Sequence, residues 1–216
     1  MVNYKEIEEK VKNKSSNTVL VAVSKTKPIE LILEAYDQGA RIFGENRVQE
    51  IVAKFSENKK EDMKVYLIGQ LQSNKVKKAV MYADRIESVD SISLLDKINV
   101  EAGKINKKSE ILLEVNSSFE EQKSGFRTRD EVISASDYAS KLENISLVGL
   151  MTVGPLGGDD EKNRKAFLYT KEIFDEISKT HPLSVLSMGM SGDWESAIEC
   201  GSTEVRIGTA IFGGRS

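Results

Sequence analysis

The sequence predicts a parallel α/β fold closed as a single (β/α)8 barrel, on three observations. Eight short runs rich in β-branched and aliphatic residues recur along the 216-residue chain. Longer segments with apolar residues at helical spacing separate them. No ninth run follows the eighth. Strands alternating with helices give a parallel sheet, and eight units without a ninth favour closure over an open sheet. A doubly wound open sheet is the alternative. Its dinucleotide-binding version is disfavoured, because no Gly-x-Gly-x-x-Gly follows the first run.

In order, an amphipathic, charged segment at 3–13 predicts an extra helix, placed to plug the bottom of the barrel. The strand runs are 19–24 (VLVAVS), 42–46 (IFGEN), 65–69 (VYLIG), 85–89 (RIESV), 110–116 (EILLEVN), 147–153 (LVGLMTV), 184–188 (SVLSM) and 204–208 (EVRIG). After the first run, Ile29, Ile32, Leu33 and Tyr36 mark one helix; after the sixth, Phe167, Thr170, Phe174 and Ile177 mark another. Gly39 and Gly201 stand just past two helices, where a left-handed residue belongs. The runs read as continuously apolar, as expected of parallel strands buried on both faces. Three prolines and no low-complexity block offer no domain boundary, so residues 1–216 are expected to form one domain.

Composition removes whole classes of function. Thirty-one Lys and Arg against 34 Asp and Glu leave a net charge of −3, which is not the footprint of a nucleic-acid or anionic-membrane binder. One cysteine permits no intrachain disulfide and suits a reducing compartment. The start lacks the apolar core of a signal peptide, and stretches such as VLVAV are too short to span a bilayer, so a cytoplasmic protein is expected. Asn116-Ser-Ser and Asn144-Ile-Ser are then chance matches to a glycosylation pattern. With one histidine no His-based metal site can form, and any Ser-His-Asp or Cys-His arrangement must use His181. His181 reads as a solvated loop residue at the bottom of the barrel, and Cys200 as a small packed residue. Trp194 either walls the site or only packs. Lys75, Lys77 and Lys78, interleaved with Ala79, Val80 and Tyr82, read as a solvated helix face.

In a barrel, functional groups stand at the C-terminal ends of strands. Those ends carry Ser24-Lys25-Thr26-Lys27, Gly44-Glu45-Asn46, Gly69-Gln70, Asn116, Met151-Thr152, Ser187-Met-Gly-Met-Ser191 and Arg206-Ile-Gly208-Thr209. Lys25 follows VLVAVS directly, so its stem rises from the mouth between apolar walls. Such walls favour the neutral, nucleophilic amine that forms a Schiff base. The plain alternative is a lysine that merely reaches solvent, and Lys27 fits that alternative better. The loops after the seventh and eighth strands are the recurrent phosphate corner of this fold. Their glycines admit backbone N–H groups to an anion, and the Ser191 and Thr209 hydroxyls add donors. Caps and tight turns are the plain reading of the same residues. A mouth lysine with a phosphate cradle fits either an aldolase for a phosphorylated sugar or a pyridoxal-phosphate protein. Arg206, cationic and pointing into the mouth, suits a pyridine nitrogen kept unprotonated.

Six ordered blocks carry a resemblance over nearly the whole chain. They are Val21-Ala-Val-Ser-Lys-Thr-Lys-Pro28, Phe43-Gly-Glu-Asn-Arg-Val-Gln-Glu50, Ile68-Gly-Gln-Leu-Gln-Ser-Asn-Lys75, Gly149-Leu-Met-Thr152, Ser187-Met-Gly-Met-Ser-x-Asp193 and Val205-Arg-Ile-Gly-Thr-Ala-Ile-Phe-Gly213. Together they resemble the YggS/PROSC-type pyridoxal phosphate homeostasis proteins, relatives of the alanine racemase N-terminal barrel. The resemblance implies a fold-type III TIM barrel with pyridoxal 5′-phosphate held on Lys25 as an internal aldimine. It implies that Ser191, Gly208 and Thr209 hold the phosphate, with Ser187 in the same loop, that Arg206 faces the pyridine nitrogen, and that Asn46 and Met151 neighbour the ring. Lys123, in the loop after the fifth strand, is a candidate for the phenolate oxygen. The family barrel stands without the β-domain that gives racemases their second base, and the chain length agrees. An uncharged pyridine nitrogen is also a poor electron sink. The expected role is therefore cofactor binding, buffering and exchange with apo-enzymes, by a monomer and without robust turnover. An amino-acid racemase-like enzyme is the alternative. Many members have His in a Gly-His-Leu-Gln block where this chain has Gln70, which puts proton handling at that position in doubt.

Overall fold

The computed structural model describes residues 2–214. Eight strands pair in parallel and in chain order into one closed barrel: β1 (Val19–Val23), β2 (Ile42–Glu45), β3 (Lys64–Leu67), β4 (Arg85–Val89), β5 (Ser109–Val115), β6 (Ile145–Thr152), β7 (Val185–Ser187) and β8 (Glu204–Ile207). β1 pairs with both β2 and β8, with Ala22 opposite Phe43 on one side and Val21 opposite Arg206 on the other. That double pairing excludes the open sheet.

Helices follow the strands: α2 (Ile29–Asp37), α3 (Val48–Phe55), α4 (Val76–Tyr82), α5 (Ile92–Gly103), α6 (Arg129–Ala139), α7 (Asp160–Ile177), α8 (Trp194–Glu199) and α9 (Thr209–Phe212), with α1 (Tyr4–Lys14) ahead of β1. Their starts have local causes. The Thr128 hydroxyl accepts from the Glu131 N–H while the Glu131 carboxylate answers the Thr128 N–H, a capping box that starts α6. Asp159 caps α7 at the Lys162 N–H, 2.9 Å away. Helical spacing then buries one face: Ala166, Phe167, Thr170, Ile173 and Ile177 of α7 lie against the barrel. The main apolar core is this layer between strands and helices. Burying a side chain such as Phe167 there stabilises by about 1.5–3 kcal/mol.

The structure corrects two expectations. First, α1 does not plug the bottom. It packs on β1, α8 and α9, and its entry is tied to α2 by Gln38 Nε2 donating to the Val2 carbonyl at 2.8 Å. Because α9 is only four residues long, the outer ring lacks a full helix after β8, and α1 fills that gap with Tyr4, Ile7 and Val11 turned inward. Second, not every strand is apolar on both faces. β4 and β8 alternate, with Ile86, Val205 and Ile207 toward the helices and Arg85, Glu87, Glu204 and Arg206 toward the lumen. β4 and β8 are not sheet neighbours, yet Arg85 Nη1 donates to Glu204 Oε2 at 2.8 Å, so the pair spans the barrel interior. Among the described residues no helix is long and apolar enough to cross a membrane, and no group of three or more His, Cys, Asp or Glu is placed to hold a metal.

Candidate functional site

A cavity of about 390 Å³ opens at the C-terminal ends of the strands. Val23, Lys25, Asn46, Ile68, Val153, Met190, Ser191, Gly192, Arg206, Gly208 and Thr209 line it. This volume lies within the usual range of small-molecule sites, about 300–1,000 Å³. Its lining includes two cationic side chains, Lys25 and Arg206, and no carboxylate. A hollow of similar size elsewhere, about 440 Å³ between Ser73 and Glu101, is lined by helix-surface residues and gathers no strand ends. The strand-end cavity, which gathers the ends of several strands with a lysine and an arginine, is therefore the candidate site.

Lys25 is held by its neighbours in sequence. Ser24 Oγ donates to Glu45 Oε1 at 2.6 Å, and the Thr26 N–H donates to Glu50 Oε2 at 2.7 Å. Lys54 Nζ, on α3, reaches the Ser24 carbonyl at 2.9 Å, Glu45 Oε1 at 2.9 Å and Glu50 Oε2 at 2.8 Å. Both flanks of Lys25 are thus fastened to one ammonium group. Thr26 sits in the left-handed region at φ 62°, which is rare for a β-branched residue. Such a conformation persists only where surrounding bonds impose it. Burial pushes the Glu45 carboxyl up to about 7, against the pull of Ser24 and Lys54. Burial also acts upward on Glu50, but bonds from Lys54 and the Thr26 N–H outweigh it and hold that carboxyl below its ordinary value.

Across the cavity, Arg206 is 4% exposed. Its Nη1 donates to Ser187 Oγ at 2.6 Å and its Nη2 to the Thr152 carbonyl at 2.8 Å. Ser187 Oγ in turn donates to Glu87 Oε2 at 2.9 Å across the lumen. Below lie Arg85, bonded to Glu110 and Glu204, and the Tyr66 ring 4.2 Å from its guanidinium carbon. Burial, and then the neighbouring Glu204 charge, hold the Glu87 carboxyl well above its ordinary range despite Arg206 and Arg85.

The third wall suits an anion. Ser191 Oγ accepts from the Gly208 N–H at 3.3 Å, which joins the two loops. Among the described residues no side chain caps the turn at Thr209, so its first N–H groups are not taken up by one of them. A Cβ on Gly192 would meet nothing within 4 Å, so a side chain there would enter open space at the cavity rim. On the opposite wall, Gly69 permits a close approach: a Cβ there would stand 2.4 Å from the Asn46 carbonyl oxygen.

Six residues expected from sequence line this one cavity: Lys25, Asn46, Ser191, Arg206, Gly208 and Thr209. Ser187 and Met151 do not. Both are buried beneath the floor, at 0% and 1% exposed, and Ser187 acts through Arg206. Lys27 is buried rather than solvated, because its ammonium donates to the Gly214 carbonyl at 2.6 Å. Lys123 is drawn away by Gly154 O at 2.7 Å and Glu120 at 2.8 Å. Gln70 borders a separate hollow with Asn46, Arg47 and Lys75. Trp194 packs half-buried on the core and is not part of the wall. His181 is tied to Asp137, with Nε2 2.7 Å from Oδ1. The sequence reading missed the apolar walls Ile68, Val153 and Met190, and the braces Lys54 and Glu87. Lys54 falls at helical spacing from Glu50, a pattern that in isolation marks only a surface pair.

Residues 2–216 match the family described as alanine racemase, N-terminal domain. A pyridoxal phosphate homeostasis protein of Haemophilus influenzae is 38% identical over 213 residues, covering 96% of this chain and 90% of that protein. The structure of PipY from Synechococcus elongatus without pyridoxal phosphate (PLP) superposes with a TM-score of 0.91 at 35% identity, covering 98% of this chain and 100% of that one. PipY with PLP bound superposes with a TM-score of 0.88 over the same shares.

Proposed function

The chain belongs to the alanine racemase N-terminal domain family, among its pyridoxal phosphate homeostasis proteins, and from that premise we propose that it binds pyridoxal 5′-phosphate at the barrel mouth to store and exchange it. One observation carries the reading: a single cavity gathers a lysine, an arginine and two hydroxyl-bearing loops with no carboxylate in its lining. The bound cofactor supplies an aldehyde carbon that condenses with an amine. Lys25 is the amine placed to hold it covalently, and the hydrogen bonds to Ser24 and Thr26 aim that side chain. Ser191, Gly208 and Thr209 would take the phosphate with hydroxyl and amide donors, the Gly208 N–H exchanging its bond to Ser191 Oγ for the anion. Arg206 presents a guanidinium, which donates hydrogen bonds and accepts none, to the ring nitrogen. Asn46, Val23, Ile68 and Val153 line the same cavity, where they would flank the ring and narrow the access of water.

Holding is favoured over turnover by the same lining. Amino-acid racemisation needs a second acid–base group opposite the lysine. Apart from Lys25, the ionisable side chain in the lining is Arg206, which does not exchange a proton at ordinary pH. The proposed working form is a monomer. Its open mouth suits exchange with apo-enzymes in the cytoplasm.

Absorbance titration with PLP tests the reading. The wild-type protein should develop a visible band that borohydride shifts, and Lys25→Ala should lack it. A wild-type protein that takes up no PLP overturns the proposal. Incubating the loaded protein with single-enantiomer amino acids in deuterated water tests the storage role. Appreciable racemisation or α-deuterium uptake overturns storage in favour of catalysis.

A further inference from the structure

We propose that Glu87 and Glu204 share one proton inside the barrel, and that this neutral-acid and carboxylate pair fixes the Arg206 guanidinium through Ser187. The first half stands on the barrel alone. The second rests on Arg206 being the cofactor contact proposed above.

The hydrogen-bond pattern favours the proton. Glu87 Oε2 accepts from Ser187, and Glu204 Oε2 accepts from Arg85. Their other oxygens, Glu87 Oε1 and Glu204 Oε1, are both buried and find no donor among the described residues. An ionised carboxylate only accepts, so two facing carboxylates leave both oxygens orphaned at full desolvation cost. The two carboxyls adjoin, since one atom, Arg85 Nη1, lies 2.8 Å from Glu204 Oε2 and 3.7 Å from Glu87 Oε1. One proton between Oε1 and Oε1 satisfies both atoms at once.

Charge balance leads to the same proton. Arg85 and Arg206 bring two positive charges, while Glu87, Glu204 and Glu110 would bring three negative ones. Glu114, which faces Arg206, adds a fourth carboxylate, so a retained proton lowers the excess of negative charge in the lumen. Arg85 cannot serve both inner carboxylates equally, since its Nη1 is 2.8 Å from Glu204 but 3.7 Å from Glu87 Oε1. Arg206 gives its donors to Ser187 and Thr152 instead. From β3 the Tyr66 ring packs on Arg85, and from β5 Glu114, bonded to Ser124, faces Arg206.

The proton has a consequence at the cavity floor. Ser187 Oγ has one hydrogen, which goes to Glu87 Oε2, and so it must accept from Arg206 Nη1. The chain Glu204–Glu87–Ser187–Arg206 therefore sets the guanidinium in one orientation. Glu87 and Ser187 are positioning residues.

The test pairs Glu87→Gln with Ser187→Ala. A glutamine copies the neutral acid: its carbonyl accepts from Ser187 and its amide donates to Glu204. Infrared spectra of the cofactor-free wild type should show a protonated-carboxyl band at alkaline pH, above the value of about 7 at which Glu45 ionises. The difference spectrum against Glu87→Gln should assign that band to the pair and leave any Glu114 contribution out. Glu87→Gln should keep its melting temperature within about 3 °C of wild type. Its PLP dissociation constant should stay within about twofold. Ser187→Ala should keep the band and weaken PLP binding about tenfold, the effect of one buried hydrogen bond. A missing band, or one that Glu87→Gln leaves intact, overturns the shared proton. Unchanged PLP affinity in Ser187→Ala overturns the positioning role. Should the wild type bind no PLP, the functional reading falls and the infrared result still decides the proton.

Discussion

Two buried glutamates brace opposite walls of one cavity, and they do it by different physics. Glu45 lies at the rim under Lys25, where α3 brings an ammonium within 2.9 Å of it. Glu87 lies in the lumen under Arg206, where its nearest ionic neighbours are another carboxylate and guanidinium groups bonded elsewhere. At the rim the result is an ion pair that titrates near neutrality. In the lumen it is a hydrogen-bonded acid that keeps its proton. The charge state of each glutamate is set by whether a cation can reach it, since both are fully buried.

The hardest test of this contrast is to remove the cation. Lys54→Met preserves most of the buried stem but strips Glu45, Glu50 and the Ser24 carbonyl of a shared donor. Breaking a buried pair by deleting one partner costs about 3–5 kcal/mol. Denaturant unfolding should show that loss at alkaline pH and a smaller one at acid pH, where Glu45 takes up a proton. Glu87→Gln should show neither. A Lys54→Met loss that does not change with pH would erase the difference between the two corners.

A second test uses pH alone. The Glu45 carboxyl is raised to about 7 in the folded protein against an ordinary 4.5, so the folded state binds the proton more tightly. Its contribution is complete below 4.5, is lost as pH rises through 7, and is flat above. The span is about 3 kcal/mol, because each tenfold gain in proton affinity is worth ~1.4 kcal/mol. Stability measured across that interval should fall in the wild type, and Glu45→Gln should flatten this part of the curve. An equal slope in the variant would assign the titration to another group.

The contrast also shows what the sequence could disclose. Eight strands were legible because parallel strands buried on both faces make short apolar runs, and VLVAV and EILLEV announce themselves. That Lys25, Ser191, Arg206, Gly208 and Thr209 would meet in one cavity was legible because a barrel gathers strand ends, so position alone nominated them. The lumen was not legible. RIESV and EVRI alternate charge with aliphatic residues, a pattern that in an isolated strand marks a wet face. Only closure of β8 onto β1 turns those faces toward one another, and closure is a property of the whole chain. Lys54 stayed hidden for a similar reason, since its partners Ser24 and Glu45 reach it through tertiary contact. The helix α1 was legible as an element, but its place depended on α9 being short.

The smallest effect should come from the turn itself. Thr26 is exposed, and its backbone is left-handed at φ 62°, with its N–H donated to Glu50. That conformation costs a non-glycine residue about 1–2 kcal/mol. Thr26→Gly removes the strain but adds freedom to the unfolded chain worth about 0.5–1 kcal/mol. The two nearly cancel, so the variant should be as stable as wild type or more stable by up to about 1 kcal/mol. PLP affinity should respond in the other direction. A glycine beside Lys25 lets the turn leave the orientation that Glu50 and Lys54 impose, so the dissociation constant should rise by about two- to threefold, less than 1 kcal/mol. Equal stability with weaker binding would place the role of the rim network in aiming Lys25. Loss of stability in Thr26→Gly would instead make the threonine side chain part of the fold.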